Sequence, residues 1–304
     1  MTTAPTHVVL GGNGVAGRET VRALLGRGVT PASVGRRPSA QNCAVSVVAD
    51  LREPTDVARA LRGAEVAYLT AGLPYSHTVW ARDWPRIVGS TIDAALAEGT
   101  RLVYLDNVYA YGRVDGPMTE HTPIGPVSRK GVVRASALHL LDEAAARGLS
   151  VAIGRSADFY GPGATTSVFN GFALDRVAAG KPGTWLFDAD LPHSLTFTPD
   201  IGDALAVLGT APAARDRTWH LPTAPALTGR EYIALAGGTT TVMGGAMMRV
   251  GAVFTSAARE TLEMAYQYTA PYVFDSNAFE TAFGVTATPV DQGIAATLGA
   301  LPVE

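Results

Sequence analysis

The stretch His7-Val8-Val9-Leu10-Gly11-Gly12-Asn13-Gly14-Val15-Ala16-Gly17 decides the fold. A short apolar run ends in glycines at 11, 14 and 17. Gly17, Val21, Leu24, Leu25 and Gly28 then fall on one helical face, so the order is strand, glycine turn, helix. Glycine permits a tight turn and lets a pyrophosphate come close to the backbone. The N-terminus of the following helix offers that group unpaired N–H donors and the positive end of a dipole. A glycine triplet alone is weak evidence; placed between a strand and a helix it is strong. The residues it assigns to a dinucleotide are Gly11, Asn13, Gly14, Val15, Ala16 and Gly17.

The next strand, Ser33-Val34-Gly35, ends in Arg36-Arg37, where a site for NAD places a carboxylate on the ribose. No acid stands there. Two guanidiniums suit a 2′-phosphate through charge-assisted hydrogen bonds, which predicts NADP(H); a solvated basic turn is the bland alternative. A third strand, Ala44 to Ala49, closes on Asp50-Leu51, and a fourth, Glu65 to Thr70, on Ala71-Gly72-Leu73. These ends share one edge of a parallel sheet, so Asp50, Leu51, Thr70, Ala71 and Gly72 join the cofactor-binding candidates.

Alternation continues through helical patterns at Val57 to Leu61 and Trp84 to Ala97, a strand at Arg101 to Leu105, a helix at Arg129 to Ala146 and a strand at Val151 to Gly154. That order predicts an α/β, Rossmann-type doubly wound parallel sheet. After Arg155, Gly161-Pro162-Gly163 and Lys181-Pro182-Gly183 punctuate a less regular region, with a helical pattern from Phe254 to Tyr266. The expected organisation is a cofactor-binding domain at 1–155, to which 195–221 returns. A smaller, mostly helical substrate lobe takes 156–194 and 222–304.

Of 304 residues, 47% are hydrophobic and 17% charged, enough for a sizeable core and too apolar for disorder. A net charge of −3 with no basic block argues against nucleic acid or an anionic membrane as partner, leaving a small molecule. The apolar run from Val242 to Phe254 is broken by Arg249, so no bilayer span is expected. The single cysteine, Cys43, and a first strand that starts within a few residues of Met1 fit a reducing cytoplasm. The six histidines have no metal-ligand spacing, so no metal is expected. His193, between Pro192 and Ser194, is a candidate lining residue of the second lobe.

Gly11, Gly14 and Gly17, then Asp50-Leu51, Tyr111-Gly112, Arg155, Tyr160-Gly161-Pro162-Gly163 and Asp200-Ile201-Gly202-Asp203-Ala204 follow one another in order. Up to about residue 205 this series resembles the extended short-chain dehydrogenase/reductases, the family of sugar-nucleotide epimerases and dehydratases. Members use a Ser or Thr after the fifth strand and then a Tyr-x-x-x-Lys pair. Here Asn107 stands four residues before Tyr111, at the Ser/Thr position, while Lys130 and Arg134 keep the Tyr-x-x-x-Lys spacing. In the alternative register Lys130 is the family lysine and Pro126 takes the Tyr position. The tyrosine is missing either way.

The resemblance implies that Asn107 donates a hydrogen bond to a carbonyl oxygen and that Arg134 holds the nicotinamide ribose. Three proton sources then stand open: Lys130, Tyr109 two residues beyond Asn107, and the substrate's own hydroxyl or a water. A solvated stripe is the general reading of two like charges one helical turn apart, as Lys130 and Arg134 are. As activity, the resemblance implies an NADPH-dependent ketoreductase of a polycyclic aromatic polyketide ketone in antibiotic biosynthesis. Phe159, Tyr160, Trp185, Phe187, Met243, Met247, Met248 and Tyr266 are expected to line an apolar cleft. Two rival readings are a non-catalytic NADP(H) sensor similar to the NmrA-like proteins and a sugar-nucleotide epimerase or dehydratase.

Overall fold

The computed structural model of the protein describes residues 5–39, 41 and 45–301; Cys43 lies outside the described residues. Seven parallel strands build the central sheet: β1 (His7–Leu10), β2 (Ala32–Gly35), β3 (Val45–Val48), β4 (Val66–Leu69), β5 (Arg101–Asn107), β6 (Val151–Ser156) and β11 (Thr218–His220). Their spatial order is β11-β6-β5-β4-β1-β2-β3. All four residues of β4 are buried, as a strand covered on both faces requires.

Helices α1 (Val15–Gly26), α2 (Pro54–Leu61), α3 (His77–Glu98) and α4 (Arg129–Ala146) cross between strands. On one face Val57, Leu61, Trp84, Ile87, Leu138 and Leu141 pack on Leu10, Leu69 and Leu102. On the other, Val21 and Leu24 of α1 meet Ile201, Leu205 and Leu208 of α6 (Thr198–Thr210). The strand order turns at the β1/β4 pair, and the crevice at the carboxyl ends of those strands is where ligands bind in such sheets. The helix expected from Trp84 starts earlier, at His77, and runs through Pro85. Buried Trp80 and Trp84 anchor that turn on the sheet and offset the hydrogen bond that proline removes.

The second lobe holds three two-stranded ribbons. β7 (Asp158–Tyr160) pairs with β10 (Leu195–Phe197), β8 (Gly183–Leu186) with β13 (Thr240–Met243), and β9 (Pro192–His193) with β12 (Leu227–Thr228). Around them lie α5 (Asp175–Ala178), α7 (Gly229–Leu235), α8 (Gly245–Phe254), α9 (Ser256–Leu262), α10 (Asn277–Phe283) and α11 (Val290–Gly299). Helices take more of the lobe's described residues than the short strands do, as expected of a mostly helical lobe. Within 195–221, β11 enters the main sheet beside β6 and α6 covers its face, whereas β10 pairs only with β7. The helix expected from Phe254 to Tyr266 is corrected to the shorter α9: Phe254 ends α8, Thr255 is extended and its side chain accepts from the Ala258 N–H to cap α9, and after Leu262 the chain goes on into a 3-10 turn at Ala265–Gln267. Among the described residues no helix is long and apolar enough to cross a membrane.

Candidate active site

The glycine turn packs too tightly for side chains. Gly11 has φ +91°, and a β-carbon on it would come within 2.7 Å of Ala71. One on Gly17 would overlap the Gly11 carbonyl. Gly14 caps α1 and offers no side-chain oxygen, so the first-turn N–H groups at Val15, Ala16 and Gly17 stay available to a phosphate. Asn13 donates from Nδ2 to the Arg37 carbonyl at 2.7 Å, which ties the arginine turn to the glycine loop. The Arg36 and Arg37 side chains are exposed, with no partner among the described residues.

Asp50 accepts from the Arg52 guanidinium, which holds its carboxyl at about 2, with Arg36 adding a smaller pull in the same direction. Thr70 donates to the Leu10 carbonyl at 3.0 Å and locks β4 to β1. Leu51 packs into the core beneath. Ala71 and Gly72 follow at the rim, half-buried and exposed respectively. This cradle fits a dinucleotide phosphate: its donors are open and its walls are backbone.

At the carboxyl ends of β4, β5 and β6 stands a second constellation. Ser128 caps α4 by accepting from the Gly131 N–H, and this places Lys130 in the first turn. Lys130 is fully buried. Its Nζ lies 2.5 Å from Glu260 Oε2 and 3.0 Å from Glu263 Oε2, donates to the Glu260 carbonyl at 3.1 Å, and sits 4.5 Å over the Tyr75 ring. Glu260 also receives the His77 N–H at 3.1 Å and has His77 Nδ1 at 2.8 Å. Burial raises the Glu260 carboxyl, but the hydrogen bonds from Lys130 and His77 outweigh it and hold the group below the ordinary carboxylate range.

His77, Glu260 and Glu263 therefore gather like metal ligands, although no sequence spacing signals them. The Lys130 ammonium, ion-paired with both carboxylates, fills the place of a cation there.

Arg134 lies one turn further along α4, 3% exposed. It donates to Asp106 Oδ1 at 2.9 Å and to the Leu105 carbonyl at 2.9 Å, with the Trp84 ring at 4.6 Å and the Tyr104 ring at 5.1 Å. Arg155 takes the other Asp106 oxygen at 2.8 Å. Burial raises the Asp106 carboxyl, and the two guanidiniums more than reverse it. A solvated stripe is excluded: Lys130 and Arg134 both face inward, each bound to carboxylate.

Asn107 Oδ1 accepts from the Tyr109 N–H at 3.1 Å, which leaves Nδ2 as the donor without a partner among the described residues. The Tyr109 ring stacks on Trp80, and its hydroxyl lies 3.3 Å from that of Tyr75. Burial, with Tyr75 and Asp158 adding, pushes the Tyr109 phenol well above its usual value. Asp158 accepts from the Tyr268 hydroxyl at 3.1 Å and has His193 Nε2 at 3.1 Å. The His193 ring is stacked against both Tyr268 and Tyr272. Burial pushes Tyr266 up to about 12.

Tyr75, Asp158, Tyr268 and Tyr272 were not singled out from sequence as reactive groups. Tyr75 follows Pro74 in a loop with no motif, although Pro271-Tyr272 sits in an aromatic segment. Of the residues expected to line a cleft, Tyr160, Trp185 and Met248 are corrected to lobe core, packed with Phe169 and Tyr232, and Met247 is exposed on α8. A large apolar side chain fills a small lobe's interior before it lines a pocket.

The profile of the NAD dependent epimerase/dehydratase family matches residues 7–216. The chain belongs to this family. No curated protein matches the chain. Among solved structures, MoeE5 in complex with UDP-glucose and NAD is similar at 21% identity and a TM-score of 0.77, covering 97% of each chain. DesIV, a dTDP-glucose 4,6-dehydratase from Streptomyces venezuelae with NAD and TYD bound, is similar at 19% identity and 0.79, covering 97% of this chain and 96% of that one. The UDP-glucuronic acid 4-epimerase from Bacillus cereus in complex with NAD is similar at 15% and 0.78, covering 97% of each. At these identities the likeness is one of fold, and it spans the second lobe as well as the sheet. At its sheet edge the chain brings together an asparagine amide, two hydrogen-bonded phenols and a lysine sealed between two glutamates.

Proposed function

We propose that the protein is an NADPH-dependent ketoreductase of a polycyclic aromatic ketone, of the angucyclinone type found in antibiotic biosynthesis. On this fold, and in lacking the usual tyrosine, it is similar to the angucyclinone 7-ketoreductase of simocyclinone biosynthesis. The observation that carries the reading is the geometry at the carboxyl end of β5: the Asn107 side-chain N–H is a donor without a partner among the described residues, and beside it the Tyr109 hydroxyl lies 3.3 Å from that of Tyr75, a phenol pair that can hand on a proton. Reduction of a ketone needs such a donor; oxidation of a sugar hydroxyl, the first step of an epimerase or dehydratase, needs a base.

The cofactor would lie with its pyrophosphate on the N–H groups of Val15 and Ala16, and its 2′-phosphate against Arg36 and Arg37. When bound, it supplies the hydride for the carbonyl carbon. Asn107 Nδ2 donates to the carbonyl oxygen and Tyr109 delivers the proton, with Tyr75 hydrogen-bonded behind it. A hydroxyl next to the ketone, or a water, is the alternative source. Arg134 supports this arrangement from beneath through Asp106 rather than by gripping the ribose in the present geometry. Lys130 is a positioning residue that fastens α9 and the turn after it to α4.

The aromatic rings grouped around Asp158 favour a flat, uncharged substrate. The test is ketone-dependent oxidation of NADPH by the purified chain, followed by nicotinamide absorbance over a panel of polycyclic aromatic ketones. Tight cofactor binding with no ketone reduced moves the reading to a sensor, and conversion of a UDP-sugar moves it to the sugar-nucleotide enzymes.

A further inference from the structure

Asp158 opens β7 two residues after Ser156, the residue that stands opposite Asn107 in the sheet register, so its carboxylate belongs to the same carboxyl edge as the Asn107 amide and the Tyr109 phenol. Its two oxygens are used differently. Oδ2 has the Tyr268 hydroxyl and His193 Nε2, both at 3.1 Å. Oδ1 has no partner among the described residues and is open to solvent, the side chain being 19% exposed. The carboxylate is also fixed in place: the Asp158 N–H donates to the Tyr272 hydroxyl at 3.2 Å, and the His193 ring stacks on both Tyr268 and Tyr272.

The charge of Asp158 reaches Tyr75, Tyr109, Tyr266, Tyr268 and Tyr272, adding in each case to the burial that raises the phenol, so aromatic rings surround this one acid. His193 is its basic partner; among the described residues no lysine or arginine is paired with it. Lys130 lies over the Tyr75 ring but is held by Glu260 and Glu263. The Tyr75 and Tyr109 hydroxyls face each other. What the cleft offers at this point is therefore a single open acceptor among flat rings. An ammonium brings three donors to it, whereas a hydroxyl brings one, and an O–H on a carboxylate is charge-assisted. Flat walls suit an aromatic ring as the carrier of that hydroxyl.

We propose that Asp158 is a specificity-determining residue that reads a phenolic hydroxyl on the substrate, Oδ1 accepting from it while the ketone stands at Asn107. The proposal rests on the ketoreductase reading for its class of substrate and adds the group that the substrate must carry.

The probes are 9-fluorenones, which are polycyclic aromatic ketones: the 2-, 3- and 4-hydroxy isomers, each against its methyl ether. They are titrated calorimetrically into the NADP⁺-loaded full chain at neutral pH, where a phenol keeps its proton. Wild type binds at least one hydroxy isomer about tenfold more tightly than its ether, the size of a hydrogen bond to a charged acceptor. In Asp158→Asn the Tyr268 hydroxyl holds the amide oxygen, so the amide N–H faces the ligand and serves hydroxyl and ether oxygens alike; the ratio falls to about one. A general disturbance of packing would weaken both probes and leave their ratio standing. NADP⁺ affinity reports the fold of the variant, and the wild-type ratio tests the proposal without it. Equal affinities of hydroxy isomer and ether at all three positions, no binding of any hydroxy isomer, or a preference that survives in Asp158→Asn each overturn the proposal. Binding to the NADP⁺ form needs no turnover. A hydroxyl preference with no ketone reduced by NADPH therefore removes the ketoreductase reading alone, and reduction with no such preference removes this proposal alone.

Discussion

Lys130→Met separates the two roles that its position offers. Methionine keeps the volume and removes the ammonium between Glu260 and Glu263, whose side chains are only 9% and 10% exposed, leaving them the exposed Arg129 guanidinium, 3.8 Å from Glu263, and the His77 ring at Glu260. Breaking a buried ion pair by deleting one partner costs about 3–5 kcal/mol. At roughly 2–4 °C per kcal/mol for a chain of this size, the Tm falls on the order of 10 °C.

The pH dependence has a definite sign. Glu260 is depressed below its usual value of 4.5 in the fold, so its contribution is full above that value and is lost as pH falls through the folded one. The gap between wild type and variant therefore narrows below about pH 4.5 and is widest at neutral pH. The triple change Lys130→Met/Glu260→Gln/Glu263→Gln recovers most of the loss, because uncharged groups of similar volume replace buried ion pairs at little cost. Thermal melts at pH 4 and pH 7 with ketone turnover in parallel give the answer. A Lys130→Met protein with wild-type Tm and kcat reduced by about 10²–10⁴ would make Lys130 the acid and refute its positioning role.

Tyr109→Phe lowers kcat by about 10²–10⁴ if the phenol is the donor; an unchanged kcat assigns the proton to the substrate's hydroxyl or to water. Because that phenol is raised well above its usual value, wild-type kcat holds level from pH 6 to 9 and declines only at higher pH, and a decline within that window contradicts the assignment. Arg36→Ala weakens NADPH binding about 10- to 100-fold and NADH binding little, as equilibrium titration reads directly; equal loss for both rejects the 2′-phosphate contact. Asp106→Asn leaves Arg134 and Arg155 without their shared charge and costs about 3–5 kcal/mol in urea unfolding. A loss under about 1 kcal/mol would remove this triad from the account of the core.

The nucleotide edge was legible because its signals are local. The β1 strand, the glycines and the start of α1 lie within eleven residues, and the departure from Tyr-x-x-x-Lys is visible at Lys130 and Arg134. What those two side chains do was not legible. The partners of Lys130 lie about 130 residues away on α9 and the turn after it, where no motif marks Glu260 and Glu263. Asp106 lies just past the strand expected at Arg101 to Leu105, and only the sheet brings Arg155 beside it. The start of α9 is likewise set by the Thr255 cap, one turn-defining side chain that periodicity alone does not locate. Pairings between distant segments follow from packing, and neither propensity nor spacing encodes them.

The most direct measurement uses NADPH carrying deuterium at the transferring position of its nicotinamide, incubated with the purified protein and a polycyclic aromatic ketone, the product being analysed by mass and NMR. The account predicts one deuterium on the new carbinol carbon and no conversion of UDP-glucose under the same conditions. An unlabelled, unreduced ketone beside a converted sugar nucleotide would contradict it.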